Sequence, residues 1–230
     1  QPDFELMMLR RLEKAPNVRI HHGRQLVSLE QGSDSVTLEF SETEKPESRC
    51  HAKARYVIGA DGARSTVRDL LSIKHIDLGF GYDWLVVDVL PHQERVWKPY
   101  VIQYCNPARP TTLVGSGPGR RRWEFMRLPG ETVDELNTAE TAWKLLAPWN
   151  IVPDNATLER HAVYTFRGSW ADQWKKGRVL LAGDAAHLMP PFLGQGLCAG
   201  MRDALALSWR LAAVVGEGAP EELLESYGPE

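Results

Sequence analysis

The stretch from Arg178 to Leu211, RVLLAGDAAHLMPPFLGQGLCAGMRDALALSWRL, restricts the fold more than any other part of the chain. Val179 to Ala182 is a short, continuous apolar run, which suits a strand covered on both faces, as in a parallel sheet. Gly183 permits a sharp turn and places Asp184 just past the carboxyl end of that strand, the end at which open α/β sheets bind ligands. Pro190 and Pro191 stiffen the next segment and donate no backbone hydrogen bond. Gly194-Gln195-Gly196 then lets the main chain approach a ligand closely. From Leu197 onward, Met201, Ala204, Leu205, Ser208, Leu211, Ala212 and Val215 recur at helical spacing, which predicts one buried stripe, and Gly216, Gly218 and Pro220 end the helix. A glycine loop at a helix N-terminus presents free N–H groups and the positive end of a dipole, so it favours an anionic or electron-rich ligand.

A second stretch repeats the logic. In YVIGADGARSTVR, Tyr56 to Arg68, a buried strand leads into Gly59-Ala60-Asp61-Gly62 and then a helix whose inner face carries Val67, Leu70 and Leu71. Asp61 sits at a strand end, Gly62 allows the turn, and Ser65 is placed to cap the helix. A plain strand–turn–helix with a capping aspartate would account for either motif alone; the full order in one chain is far less common.

The remaining segments read more simply. Phe4, Met7, Met8, Leu9 and Leu12 predict an amphipathic helix, Pro16-Asn17 a break, and Val18 to Ile20 a short strand. Residues 25–58 predict three strands, with Gly32-Ser33-Asp34 as a hairpin turn, Ser41 to Ser48 as a loop and Arg49 to Ile58 as the third strand. Residues 73–168 alternate aromatic β-runs with turn residues and predict antiparallel sheet, with one helix near Thr138 to Leu146 and a last strand from His161 to Phe166. Gly115, Gly117 and Gly119 fail the dinucleotide spacing, because Arg120 stands where the third glycine belongs; they predict a hairpin turn.

Composition narrows the classes. A net charge of −3 over 230 residues gives no basic surface for nucleic acid. Three cysteines at no metal or redox spacing fit a reducing cytoplasm, and no apolar run reaches membrane-spanning length. Arg202 and Asp203 are adjacent on a helix and do not face each other, so they form no acid–base pair.

Taken in order, GDAAH, PP, GQG and a helix carrying Arg-Asp resemble the second FAD motif of the flavin-dependent aromatic hydroxylases, the class A flavoprotein monooxygenases; DGxxSxxR resembles the DG motif of the same family. WLVVDVL, QYCNPARPTT and RRWEFM are similar to its 3-(3-hydroxyphenyl)propionate hydroxylase branch. The resemblance implies a mixed α/β (α+β) fold: part of a FAD/NAD(P)-binding Rossmann-like domain over residues 1–72 and 169–230, with an inserted, mainly antiparallel β-sheet substrate domain over residues 73–168. It implies Asp184 as the ligand of a ribityl hydroxyl, Pro191 packed near the flavin, and Gly194, Gln195, Gly196, Leu197 and Cys198 as the flavin loop and helix N-terminus. Gly183, Ala185, Ala186 and His187 complete that wall, His187 being structural or beside the flavin rather than a base, while Asp61 and Arg64, with Arg68, contribute from the DG turn. The implied cofactor is FAD, with NADH or NADPH as co-substrate, O2 as oxidant and a small phenolic acid as substrate, hydroxylated ortho to its hydroxyl. Another reaction on the same scaffold, a cofactor-free product and a homo-oligomer all stay open, and no catalytic base is identified. The family begins with a βαβ unit carrying Gly-x-Gly-x-x-Gly, which these residues do not contain. The expectation is therefore an internal piece, starting at Gln1, that binds FAD weakly on its own.

Overall fold

The computed structural model describes residues 2–228, apart from the side chain of Leu193. Helix α1 (Pro2–Leu12) buries none of its residues. Val18 to Ile20 form no strand, contrary to expectation: no described strand lies alongside to take their backbone hydrogen bonds. Strands β1 (Arg24–Gln31), β2 (Val36–Glu42) and β3 (Arg49–Ala54) form an antiparallel meander. Its buried Val36 and Leu38 pack against Val67, Leu71, Val179 and Leu181.

The expected third strand divides. After β3, the chain leaves the meander at Arg55-Tyr56 and re-pairs as β4 (Val57–Gly59) in another sheet. Helix α2 (Thr66–Leu70) follows, capped by the Ser65 side chain, which accepts from the Arg68 N–H. Val67 and Leu71 are buried as expected, but Leu70 faces solvent.

A six-stranded antiparallel sheet forms the largest layer. Its long strands are β5 (His75–Pro91) and β9 (Ala156–Ala171), paired along nearly their whole length. Strands β6 (Ile102–Tyr104), β7 (Thr111–Gly115) and β8 (Arg121–Met126) extend it on the β5 side, and Gly115 to Gly119 make the β7–β8 hairpin turn as expected. Only part of the Tyr100–Tyr104 run is strand. Helices α3 (Val133–Leu136) and α4 (Ala139–Leu146) cover one face, where Leu85, Val87, Trp123 and Phe125 meet Leu136, Ala142 and Leu146.

The chain then returns to the small sheet. Strand β10 (Lys175–Lys176) pairs antiparallel with β11 (Val179–Leu181), and β11 lies parallel to β4 with Val57 opposite Val179. All three residues of β11 are buried, in keeping with the continuous apolar run. Strand β12 (His187–Leu188) joins the edge of the six-stranded sheet beside β9. Helix α5 (Gly196–Gly216) completes the chain's regular structure before a 3-10 segment at Glu221–Tyr227.

The buried stripe of α5 differs from the expected one. It consists of Ala199, Asp203, Leu207, Arg210 and Val214, whereas Leu197, Met201, Leu205 and Val215 are exposed. Two charged residues occupy the buried stripe because each has partners there. Asp203 accepts hydrogen bonds from the turn after β11, and Arg210 donates to Ser226 Oγ at 3.0 Å and to the Ala206 carbonyl at 3.0 Å.

Candidate active site

Parallel pairing brings the two turn motifs together. Because β4 and β11 run side by side in the same direction, Ala60-Asp61-Gly62 and Ala182-Gly183-Asp184 emerge at the same sheet end, though about 120 positions apart. The Ala182 N–H donates to the Gly59 carbonyl at 3.0 Å, extending the pairing into the turns. Gly62 and Asp184 line one cleft of about 420 Å³, with Gly183, Gly200 and Ala204 forming much of its small-residue wall. Gly183 has a φ of +59°, a conformation that strains side chains, and a Cβ on Gly200 would lie 3.6 Å from the Gly183 Cα. Helix and turn therefore approach closely. A larger cleft of about 1150 Å³ lies on the other flank of α5, between Trp170, Trp209 and Tyr227. It meets His187 but neither turn aspartate, so the smaller cleft is the one both motifs build.

Each candidate residue has a definite place. Asp61 closes its own turn: its carboxylate accepts from Ser65 Oγ and, at 3.0 Å, from the Val67 N–H. Arg68 is buried and joins the two motifs, donating to the Ala185 carbonyl at 3.1 Å and the Ala63 carbonyl at 2.9 Å. Arg64 is exposed, and so is Asp184, which lines the cleft. Ala185 and Ala186 are fully buried behind it. Pro191, Gly194, Gln195, Leu197 and Cys198 are exposed along the loop and the first turn of α5, with Gly196 half-buried; Gly194 has a φ of +61°. No side chain caps α5. An uncapped start to a 21-residue helix leaves N–H groups and a positive dipole end facing outward.

His187 is tied into the frame of the site and lines the larger cleft rather than the smaller one. It is buried, its ring stacks on Trp174 at 5.1 Å, and its Nε2 lies 2.8 Å from Asp203 Oδ2. A carboxylate only accepts, so Nε2 carries the proton. The same Asp203 oxygen accepts the Gly183 N–H at 2.7 Å. Asp203 thus fixes helix, turn and histidine at one point. Sequence reasoning missed it because the expected stripe lay on another face; the signal was its helical spacing from Ala199 and Leu207.

The loop at Pro191–Leu193 also docks on the six-stranded sheet. The Phe192 ring meets Trp84, Phe166 and Phe80 edge-on at 5.1, 5.8 and 5.9 Å, and the Gln103 amide donates to the Phe192 carbonyl. This contact joins the expected flavin wall to the expected substrate wall, and nothing in the sequence pattern announced it.

The residues present fit a flavin in chemical type. An exposed carboxylate, small residues that admit close approach, and a helix N-terminus match hydroxyl groups and an electron-rich ring edge. Among the described residues there is no His, Cys, Asp and Glu grouping able to hold a metal ion, and no helix is long and apolar enough to cross a membrane.

Comparison with known proteins bears on the family and the fold. The chain is 38% identical, over its whole length, to the 3-(3-hydroxy-phenyl)propionate/3-hydroxycinnamic acid hydroxylase of Escherichia coli O139:H28, and spans 41% of that protein. A relative of the same name from Shigella sonnei matches equally. Among solved structures, p-nitrophenol 4-monooxygenase from Pseudomonas putida DLL-E4 superposes with a TM-score of 0.85 at 26% identity, covering 99% of this chain and 57% of its own. A ternary complex of aklavinone-11 hydroxylase with FAD and aklavinone also gives 0.85, at 27% identity, covering 99% and 44%. Residues 1–230 match the FAD binding domain family throughout, and the chain belongs to that family.

Proposed function

We propose that this chain supplies the ribityl-side flavin wall and the substrate wall of an FAD-dependent monooxygenase that hydroxylates a phenolic aromatic acid resembling 3-(3-hydroxyphenyl)propionate, using NADH or NADPH and O2. The observation that carries the reading is the meeting of the two turn motifs at one end of a parallel strand pair, beside a loop docked on an aromatic sheet. The whole-length identity to hydroxylases of that substrate class supports the branch.

FAD, when bound, supplies the redox chemistry that carries electrons from the nicotinamide to oxygen. The chain's own residues do the rest. Asp184 would hold a ribityl hydroxyl by accepting its hydrogen bond. The α5 N-terminus would favour negative charge on a ring edge placed against it. Asp203 holds the Gly183 turn, and Arg68 ties that turn to the DG motif, so the cleft keeps its shape. Phe192, pressed on Trp84 and Phe166, closes the β5–β9 side of the space between loop and sheet and keeps water from entering there.

The test is stoichiometric. With the FAD-loaded enzyme, a 3-hydroxyphenyl acid is expected to stimulate NAD(P)H oxidation and yield one hydroxylated product per nicotinamide consumed. Hydrogen peroxide as the only product would refute the proposal. Asp184→Ala is expected to weaken FAD binding by about tenfold, the loss of roughly one charge-assisted hydrogen bond.

A further inference from the structure

The face of the six-stranded sheet that carries Trp84 and Gln103 also carries one carboxylate with no stated use. Glu124, on β8, pairs across to Val86 on β5 and to Thr112 on β7. Met126, two residues on, pairs with Trp84, and Gln103 pairs with Thr112, so strand alternation puts Glu124 on the same face as both. The loop above is anchored on either side of it. The Phe192 ring rests on β5 and β9 through Trp84 and Phe166, while the Phe192 carbonyl is held from β6 by Gln103. Strand β8 lies between those anchors.

Glu124 is only 7% exposed. Arg122, on the same face, is already committed: its Nε and Nη2 bind both Asp88 oxygens at 2.8 and 2.9 Å. Among the described residues no hydrogen bond or ion pair engages the Glu124 carboxylate, and the overlying Met189 to Cys198 segment contains no charged residue. The charges on this face are thus Arg122, Asp88 and Arg160, which pairs opposite Asp88. Burial pushes the Glu124 carboxyl above the usual range, Arg122 opposes this, and Asp88 adds to it. The Glu124 oxygens are not among the fully enclosed polar atoms that lack a partner, so the carboxylate keeps an opening through which a hydroxyl group can reach it. Its position under the loop gives it a task.

Resting on the monooxygenase reading, we propose that Glu124 is a catalytic residue that accepts the hydroxyl proton of a phenolic ring held between the sheet and the Pro191–Gly196 loop. The phenol O–H bond breaks, an O–H bond forms on a Glu124 carboxylate oxygen, and the bonding pair stays on the phenolate oxygen. That charge enriches the ring carbon ortho to it. The proton leaves to solvent when product departs, so the step needs no oxidant or reductant. The acid group of the substrate points away from Glu124, because two carboxylates repel.

The pH signs follow. Proton acceptance needs the ionised carboxylate, so turnover rises as pH passes the raised Glu124 value. Stability runs the other way: a group whose pKa is raised by folding favours the fold most below its unfolded value, and that benefit disappears as pH climbs through the folded value.

The experiment compares the parent with Glu124→Gln and Glu124→Asp, each at FAD concentrations shown by titration to saturate it. A glutamine oxygen still accepts a hydrogen bond but takes no proton. Glu124→Gln is therefore expected to bind the phenolic acid within about threefold of the parent, while kcat falls by about 10²–10⁴-fold, as for loss of a general base. The acidic limb of its pH profile should vanish, and its melting temperature should exceed the parent's increasingly as pH rises. Glu124→Asp should recover part of kcat. The parent itself should bind the phenol more tightly than its methyl ether, a comparison that needs no variant to fold. A Glu124→Gln kcat within twofold of the parent overturns the proposal, as does equal affinity of the parent for phenol and ether. A parent that forms no hydroxylated phenol at all sinks the monooxygenase reading first, and the role of Glu124 with it.

Discussion

Asp203 shows how one side chain organises a site without touching the expected ligand. A single carboxylate oxygen accepts both the Gly183 N–H and His187 Nε2, inside a helix stripe that is otherwise mostly apolar. Removing the carboxylate leaves two buried donors unpaired, each costing about 1–3 kcal/mol. Asp203→Ala is therefore expected to lower stability by about 2–5 kcal/mol in urea denaturation, with no change in the dependence on denaturant. A loss under about 0.5 kcal/mol would mean that water replaces the carboxylate and the pin is dispensable. The sequence made Asp184 conspicuous and left Asp203 obscure for a physical reason. Asp184 stands at a strand end, where a local pattern of glycine and apolar run reveals it, whereas the partners of Asp203 lie 16 and 20 positions away and meet it only in the folded chain.

At the scale of elements, glycines decide how close the strands, turns and helices come. Gly59 ends β4 against α2, where an added Cβ would lie 2.8 Å from the Val67 Cγ1. That atom belongs to a branched side chain fixed in the core, so relief requires moving α2. Gly59→Ala is expected to destabilise by about 1–3 kcal/mol, the range for overpacking. Gly200→Ala should do the opposite. Its Cβ would meet only the Gly183 Cα at 3.6 Å, an ordinary contact, and replacing a mid-helix glycine by alanine gains about 1 kcal/mol. The same methyl would intrude on the cleft wall, so stability should rise while FAD affinity falls. A Gly200→Ala variant that melts lower would show that the helix and the turn have no spare room. The element pattern was legible wherever both faces of a run agreed, as at β11, the β7–β8 hairpin and the end of α5. It failed where the partner lay elsewhere in the chain: the Arg49–Ile58 run divides because Val57 finds β11, and the α5 stripe rotates because its buried charges are paired.

At the scale of the whole molecule, the fold class was readable because the motifs name a scaffold, while the surface that scaffold leaves open was not. Strand β4 pairs with β11 on one side only, and Ile58 on it is 46% exposed. On α5, Leu205 is 69% exposed, with Leu197 and Met201 beside it on the same apolar face. Ile58 lines the cleft that holds Gly62 and Asp184, and Leu205 lines the larger cleft on the other flank of α5. The ADP half of a dinucleotide needs a Gly-x-Gly-x-x-Gly turn at a helix N-terminus to cradle its pyrophosphate, and the 230 residues contain none. On the proposed reading the cleft would meet the ribityl and ring portions of FAD, with no glycine-rich pyrophosphate cradle beside it. Charged phosphates contribute much of the affinity in such sites through helix N-terminal N–H groups. We expect the 230-residue chain by itself to bind FAD more weakly than about 10 µM, equivalent to less than about 7 kcal/mol. Equilibrium dialysis against FAD measures this directly, with FMN as the comparison. Because FMN retains the ring and ribityl groups and lacks the adenosine half, the two should bind within about threefold of each other, a difference under 1 kcal/mol. A tight, stoichiometric yellow complex with FAD that excludes FMN would overturn the argument, since these residues would then hold the adenosine half by a route other than a glycine-rich turn.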